Sequence, residues 1–284
     1  DREAQAARES RAPVNPPVSS PLLAVDVGNS RVKFGLFDRA AASDGLPELV
    51  ESLAVAPDGE VPWSEIGGWL GESRGVGPRG IVAGSNPAAR DTVVEAWPGD
   101  WLAPRVLTDA AGLGLQVGPA QPGQTGLDRL LNAVAVNRLS AGDRPAIIID
   151  SGTATTVDAV DAEGVFLGGA ILPGFGLLAR SLHRYTALLP LVTLEELGTG
   201  PTEAVGEDTI AAIRSGLFFG QLGAVRELVA EMSGSLEGAA PELFLTGGGG
   251  PLLATALTEA RLVPHLGLRG LAEVARVGDD KAKT

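Results

Sequence analysis

The sequence predicts an α/β protein made of two similar halves, each a mixed β-sheet flanked by helices. Three observations carry that expectation. Two stretches repeat one pattern, L-L-A-V-D-V-G-N-S at 22–30 and I-I-I-D-S-G-T-A-T at 147–155. In each, an apolar strand-like run ends on an aspartate, Asp26 or Asp150, and a glycine follows two places later, Gly28 or Gly152, before a polar turn and a second apolar run. In both halves strands come first and helices follow. Finally, 284 residues with 44% hydrophobic content and 39 glycines suffice for one large domain or two of ordinary size.

Residues 1–20 are polar, alanine-rich and then proline-rich, with no periodicity to bury, and are expected to form a disordered leader. The N-terminal half is placed at 21–140 and the C-terminal half at 141–284, joined near 125–145. The first half reads as a hairpin over 22–37, a strand near 49–55, a helix near 63–72 and a buried strand over 80–83 running into G-S-N-P. A helix at 88–97 and a strand at 104–107 follow. Pro119, Pro122 and Gly123 then make a loop into a helix over 126–139, where Leu127, Leu130, Leu131, Val134 and Ala135 recur at helical spacing. The second half opens with the repeated hairpin from Ala146, turns at Gly164, and adds a strand near 165–171 that ends in Pro173-Gly174. Helices are expected at 175–185, 203–215 and 217–233, then a strand over 243–246, the run Gly247–Gly250 and a helix at 251–260.

Composition narrows the chemistry. The absence of cysteine excludes disulfides, thiolate metal sites and a cysteine nucleophile. With only His183 and His265, a multi-histidine zinc site and a Ser-His-Asp triad are poorly supported. The net charge of −13, from 22 basic and 35 acidic residues, argues against a nucleic-acid partner. No apolar run approaches a membrane span, and the N-terminus shows no charged-then-apolar signal pattern; the expectation is a cytoplasmic protein with no membrane partner.

The repeated hairpins suit phosphate chemistry. Glycine lets the backbone approach a phosphate, turn amides and hydroxyls cradle it, and an aspartate at the strand end can hold a cation or its water shell. The first candidate set is Asp26, Gly28, Asn29, Ser30 and Lys33; the second is Asp150, Gly152, Thr153, Thr155 and Thr156. The first set alone would also serve as an ordinary Asx-type turn. A carboxylate closing an isoleucine-rich strand is costly unless paired, which singles out Asp150. The Gly247–Gly250 run follows a strand and precedes a helix, so it suits either a ligand approach or a tight turn. Neither a spaced dinucleotide fingerprint nor a Walker-type loop is present. Asp128 and Arg129 open a helix after a Pro/Gly loop, where an acid either caps the helix or positions a substrate hydroxyl. Glu207, Asp208 and His183 carry no self-evident chemistry.

The motifs D-V-G-N-S, G-L-D-R, I-D-S-G-T-A-T, G-G-A-I-L-P-G, E-D-T-I-A-A-I-R-S-G and F-L-T-G-G-G occur here in the order typical of type III pantothenate kinases, and the chain resembles that family over residues 22–265. The resemblance implies duplicated ribonuclease-H-like domains, as in actin-like ATPases, and transfer of the ATP γ-phosphate to pantothenate, the first step of coenzyme A synthesis. It implies that Asp26, Val27, Gly28, Asn29, Ser30, Arg31, Val32 and Lys33 line the ATP phosphates, with Asp26 near Mg²⁺ and Thr153 touching ATP. Asp128 would be the general base, and Gly126, Leu127, Asp128, Arg129 and Thr209 would contact pantothenate. Asp150 would bind the monovalent cation, K⁺ or ammonium, and the protein would be a homodimer with substrate pockets near the subunit interface. One departure stands out: many relatives carry a substrate-contacting tyrosine nine residues before the catalytic aspartate, and Pro119 occupies that position here. The rival readings are another kinase or phosphatase of the superfamily, and a non-enzymatic regulatory relative.

Overall fold

The structure, a computed structural model, describes residues 21–38, 45–71, 77–118, 125–140, 142, 144–198 and 202–281. The expected leader and the loop residues Pro119, Pro122 and Gly123 lie outside the described residues.

Two five-stranded mixed sheets are present, and they share one topology. The first contains β1 (Leu22–Val27), β2 (Val32–Asp38), β3 (Glu48–Val55), β4 (Arg79–Gly84) and β5 (Arg105–Val106), in the order β3-β2-β1-β4-β5. The second contains β6 (Ala146–Ser151), β7 (Ala154–Val160), β8 (Phe166–Pro173), β9 (Glu242–Thr246) and β10 (Arg261–Leu262), in the order β10-β9-β6-β7-β8. In each sheet the first strand pairs antiparallel with the second and parallel with the fourth. The repeated hairpin of the sequence is thus repeated in space, with Asp26 and Asp150 one residue from the ends of equivalent central strands.

Eight helices complete the described fold: α1 (Trp63–Trp69), α2 (Pro87–Glu95), α3 (Leu127–Leu139), α4 (Phe175–Arg184), α5 (Leu194–Leu197), α6 (Thr209–Ser235), α7 (Gly250–Ala254) and α8 (Leu266–Lys281). Strand side chains alternate between faces, so each sheet feeds two cores. Leu23, Val25 and Phe34 pack outward with Ile66 of α1 and Val93 of α2. Ile147, Ile149 and Val157 pack outward with Phe175 of α4 and Leu217 and Leu222 of α6. The inward faces share a third core: Ala24, Phe37 and Ile81 from the first sheet and Ile148, Val160 and Phe244 from the second enclose Leu130 and Leu131 of α3 and Leu271 and Val274 of α8. The middle of the molecule is therefore a helix pair packed between two sheets.

Five elements depart from the expected pattern. The helices expected at 203–215 and 217–233 are one helix, α6, which starts at Thr209 because the Asp208 carboxylate caps the Ala211 amide at 2.8 Å. The helix expected at 251–260 ends at Ala254. The short helix α5, strand β10 and helix α8 have no counterpart in the sequence reading.

Candidate active site

The parallel strand pairs β1/β4 and β6/β9 direct their C-terminal ends toward one cleft, the usual ligand position in α/β sheets. Asp26 lies opposite Lys33 and Ala83 in its sheet, and Asp150 opposite Thr156 and Thr246 in the other. Helix α3 begins beside them with Asp128 in its first turn, where the helix dipole favours a carboxylate.

The three acids share one electrostatic environment. Burial pushes the Asp26 carboxyl above its usual range; Lys33 opposes this, and the charges of Asp128 and Asp150 add to it. Burial likewise raises Asp150, opposed by Lys33 and by the Asn132 amide, while Asp128 adds to the rise. Lys33 Nζ stands 3.7 Å from one Asp26 oxygen, and the other oxygen is buried with no hydrogen-bond partner. Asn132 Nδ2 donates to Asp150 Oδ2 at 2.9 Å, and the Asn132 and Ser151 side-chain oxygens are also buried and unpartnered. Buried polar atoms without partners are rare in folded proteins, and several grouped around Asp26 and Asp150 fit the binding of a cation and its water.

The turns beside these acids are built to approach a ligand. In the first, Gly28 donates to the Arg31 carbonyl at 2.9 Å, leaving Asn29, Ser30 and Arg31 exposed at the tip. In the second, Gly249 donates to Ser151 O at 2.8 Å and Gly174 to Thr153 O at 3.0 Å, so the turn is held from both flanks with Thr153 exposed. Gly247 adopts φ +86°, and a Cβ there would lie 2.5 Å from Asp150 Oδ1. The expected Gly247–Gly250 run therefore packs against the second acid and shapes its surroundings.

Of the predicted residues, Asp26, Lys33, Asp128 and Asp150 are brought close enough to feel one another's charge, while Arg129, next to Asp128, turns to Asp158. Thr209 does not join their hydrogen bonds: it is exposed in the first turn of α6. Thr155 faces away from the cleft, donating to Gln221 of α6 at 2.8 Å, and so ties helix to sheet. Sequence reading missed Asp158, a fully buried acid on β7 paired with Arg129. The only sequence signal for it is a charge inside an otherwise apolar strand, which must find a partner.

The buried acids store an energetic cost that a simple substitution exposes. Burial outweighs Lys33 at Asp26, so the folded carboxyl has a raised pKa and its ionisation opposes folding. Stability from this group is full at acidic pH and falls as pH rises through the folded pKa. Asp26→Asn is therefore expected to raise Tm at pH 7, with the advantage shrinking toward acid pH; thermal scans of both proteins across pH check it. An unchanged or lowered Tm at pH 7 would show that the Lys33 pair outweighs burial.

Comparisons with known proteins agree with this geometry. The family model of type III pantothenate kinases matches residues 22–231. A type III pantothenate kinase of Paramagnetospirillum magneticum is 34% identical over 267 residues, covering 90% of this chain and 96% of that protein. That of Alkalilimnicola ehrlichii is 37% identical over 266 residues, covering 89% and 97%. Among solved structures, a Campylobacter jejuni protein described as a Baf family transcriptional activator superposes with TM-score 0.57 at 17% identity, covering 91% of this chain and 99% of that one. The activator of 2-hydroxyisocaproyl-CoA dehydratase from Clostridium difficile, solved with ADPNP, gives 0.53 at 13% identity, covering 93% and 97%. The structural likenesses show the fold, the duplicated ribonuclease-H-like architecture of actin-like ATPases. The sequence relationships show the family: the chain belongs to the type III pantothenate kinases.

Proposed function

We propose that the cleft phosphorylates pantothenate with Asp128 as general base, the first hairpin turn on the ATP phosphates and Asp150 at a monovalent cation. The observation that supports this most is the equivalent placement of Asp26 and Asp150 on duplicated strands, with Asp128 close enough to raise both. Phosphoryl transfer has a loose transition state, so positioning and charge neutralisation supply most of the catalysis. Asp128 accepts a hydrogen bond from the attacking hydroxyl and takes its proton. Asn29, Ser30 and Arg31, exposed at the first turn, and Thr153 at the second, meet the nucleotide phosphates. Lys33 neutralises phosphate charge once drawn from Asp26.

Asp26, with its unpartnered oxygen, is the residue that would sit nearest Mg²⁺. Among the described residues no group of three His, Cys, Asp or Glu side chains converges on one point, so such an ion would rely mostly on phosphate and water, as Mg²⁺ commonly does. Asp150, oriented by Asn132, would hold K⁺ or ammonium. No described helix is long and apolar enough to cross a membrane, and we place the protein in the cytoplasm. A homodimer is supported by exposed apolar side chains: Ile171 on the edge strand β8, Tyr185 and Leu188 after α4 and Ile210 in α6, from 50 to 91% exposed. Thr209 precedes Ile210 and is likewise exposed, so its contact with pantothenate would form near the subunit interface.

The test is ADP release by purified protein with Mg²⁺ and K⁺, with and without pantothenate. Pantothenate-dependent release is expected. Its absence from folded protein would move the acceptor to another hydroxyl compound or the chain to a regulatory role.

A further inference from the structure

Arg129 follows the proposed base directly, yet most of its guanidinium is committed inside the protein. Its Nε donates to both Asp158 oxygens, at 2.9 and 3.2 Å, and its Nη2 also donates to Asp158 Oδ1. The Arg129 side chain is 14% exposed and that of Asp158 1%. The guanidinium carbon lies 5.6 Å from the centre of the Phe166 ring, at cation–π distance. Asp158 and Phe166 thus hold the group from one edge and one face, leaving Nη1 unused by either.

The surroundings are shaped to keep this clamp. Gly169 stands directly opposite Asp158 across β7 and β8, and a Cβ there would come within 2.5 Å of Asp158 Oδ1. Phe166 pairs through its main chain with the segment leading toward α3: its amide donates to Gln116 O at 2.9 Å, and its carbonyl accepts from the Gly118 amide at 2.9 Å. A buried ion pair is a poor stabiliser compared with apolar packing of the same volume. The contact between α3 and the second sheet is otherwise built from Leu130, Ala133, Ile148 and Val160, which could have closed the gap without charge. A planar guanidinium held along one edge presents its remaining donors in a fixed direction, the geometry that suits an oxyanion.

We propose that Asp158, with the Phe166 ring beneath the guanidinium carbon, is a positioning residue that fixes Arg129 so that its free edge binds an oxyanion of a bound substrate. This rests on the kinase reading above, which supplies two sources of that oxyanion: the carboxylate of pantothenate and the phosphates of ATP.

Steady-state kinetics separates them. Wild type, Asp158→Asn, Arg129→Ala and the double variant are compared on pantothenate, on its neutral analogue pantothenol, in which an alcohol replaces the carboxylate, and across ATP concentration. Asp158→Asn is expected to raise the KM of one substrate about tenfold or more, with kcat within about threefold, the loss typical of a misdirected charge-assisted hydrogen bond. A rise for pantothenate but not pantothenol identifies the carboxylate; a rise for ATP identifies a phosphate. In the double variant the effect of Asp158→Asn is expected to vanish, because it acts through Arg129. Unchanged KM values, equal effects on pantothenate and pantothenol with ATP unaffected, or full additivity would overturn the proposal. Should Asp158→Asn fail to fold, Phe166→Leu removes the ring without stranding a buried charge and must move the same KM in the same direction. Wild-type turnover of pantothenate in the same plates tells failure of this proposal from failure of the kinase reading.

Discussion

Asp128→Asn is expected to lower kcat about a hundred- to ten-thousandfold, the usual contribution of a positioned general base. The amide keeps the shape of the side chain, so the first turn of α3 should persist and the fold with it. Asp128 is half-buried, with one oxygen accepting from the Arg129 amide at 3.0 Å, and the rest of the group faces the cleft shared with Asp26 and Asp150. Its role is local to the acceptor hydroxyl, so the KM for ATP and the thermal unfolding curve should stay near wild type. The KM for pantothenate should change little, because a base that acts as the proton moves contributes chiefly to the transition state. Pre-steady-state mixing would show the loss in the chemical step. A kcat within about threefold of wild type would place the base elsewhere.

Asp150→Ala should be nearly as costly, with a different signature. Wild-type activity is expected to depend on K⁺ or ammonium and to collapse when Na⁺ replaces them. In Asp150→Ala the activity should fall about a hundredfold, by analogy with losses seen when a metal-site residue is removed, and the remainder should no longer distinguish K⁺ from Na⁺. The pH dependence follows from the burial of Asp150, which raises its pKa. A cation binds the ionised carboxylate, so lowering the pH protonates Asp150 sooner than it would a free aspartate. The K⁺ concentration needed for half activation should therefore rise on the acid side, in wild type only. Equal activity in K⁺ and Na⁺ buffers would remove the cation role from Asp150.

Much of this site was legible in the sequence because its parts are local. An aspartate closing an apolar strand before a glycine turn is a short-range pattern, and Asp26 and Asp150 carry it twice. Asp128 stood out through its place at a helix start. The partnership of Arg129 with Asp158 was not legible, since it depends on how α3 lies across β7, a packing relation that no local spacing encodes. Thr155 looked like a member of the phosphate loop; strand alternation instead turns it to the outer face, against Gln221. Helix α6 reads as two helices in the sequence; Ser215, Leu217 and Phe218 bury around Gly216, which would weaken an isolated helix, and carry the helix through. Helix α8 went unread because Gly267, Gly270 and Gly278 interrupt its apolar stripe. Gly270 is there for contact: a Cβ would overlap the Leu131 carbonyl of α3, so the two helices meet backbone to side-chain-free surface.

That last helix also sets an order of assembly during synthesis. The first sheet is translated before α8, yet the inward side chains of Ala24, Phe37 and Ile81 are sealed partly by Leu268, Leu271 and Val274 of that helix. A nascent chain halted anywhere before α8 would hold a sheet with one greasy side uncovered. The first sheet should thus depend on chaperones until α8 has been made, and a truncation that removes α8 should damage the lobe that was made first.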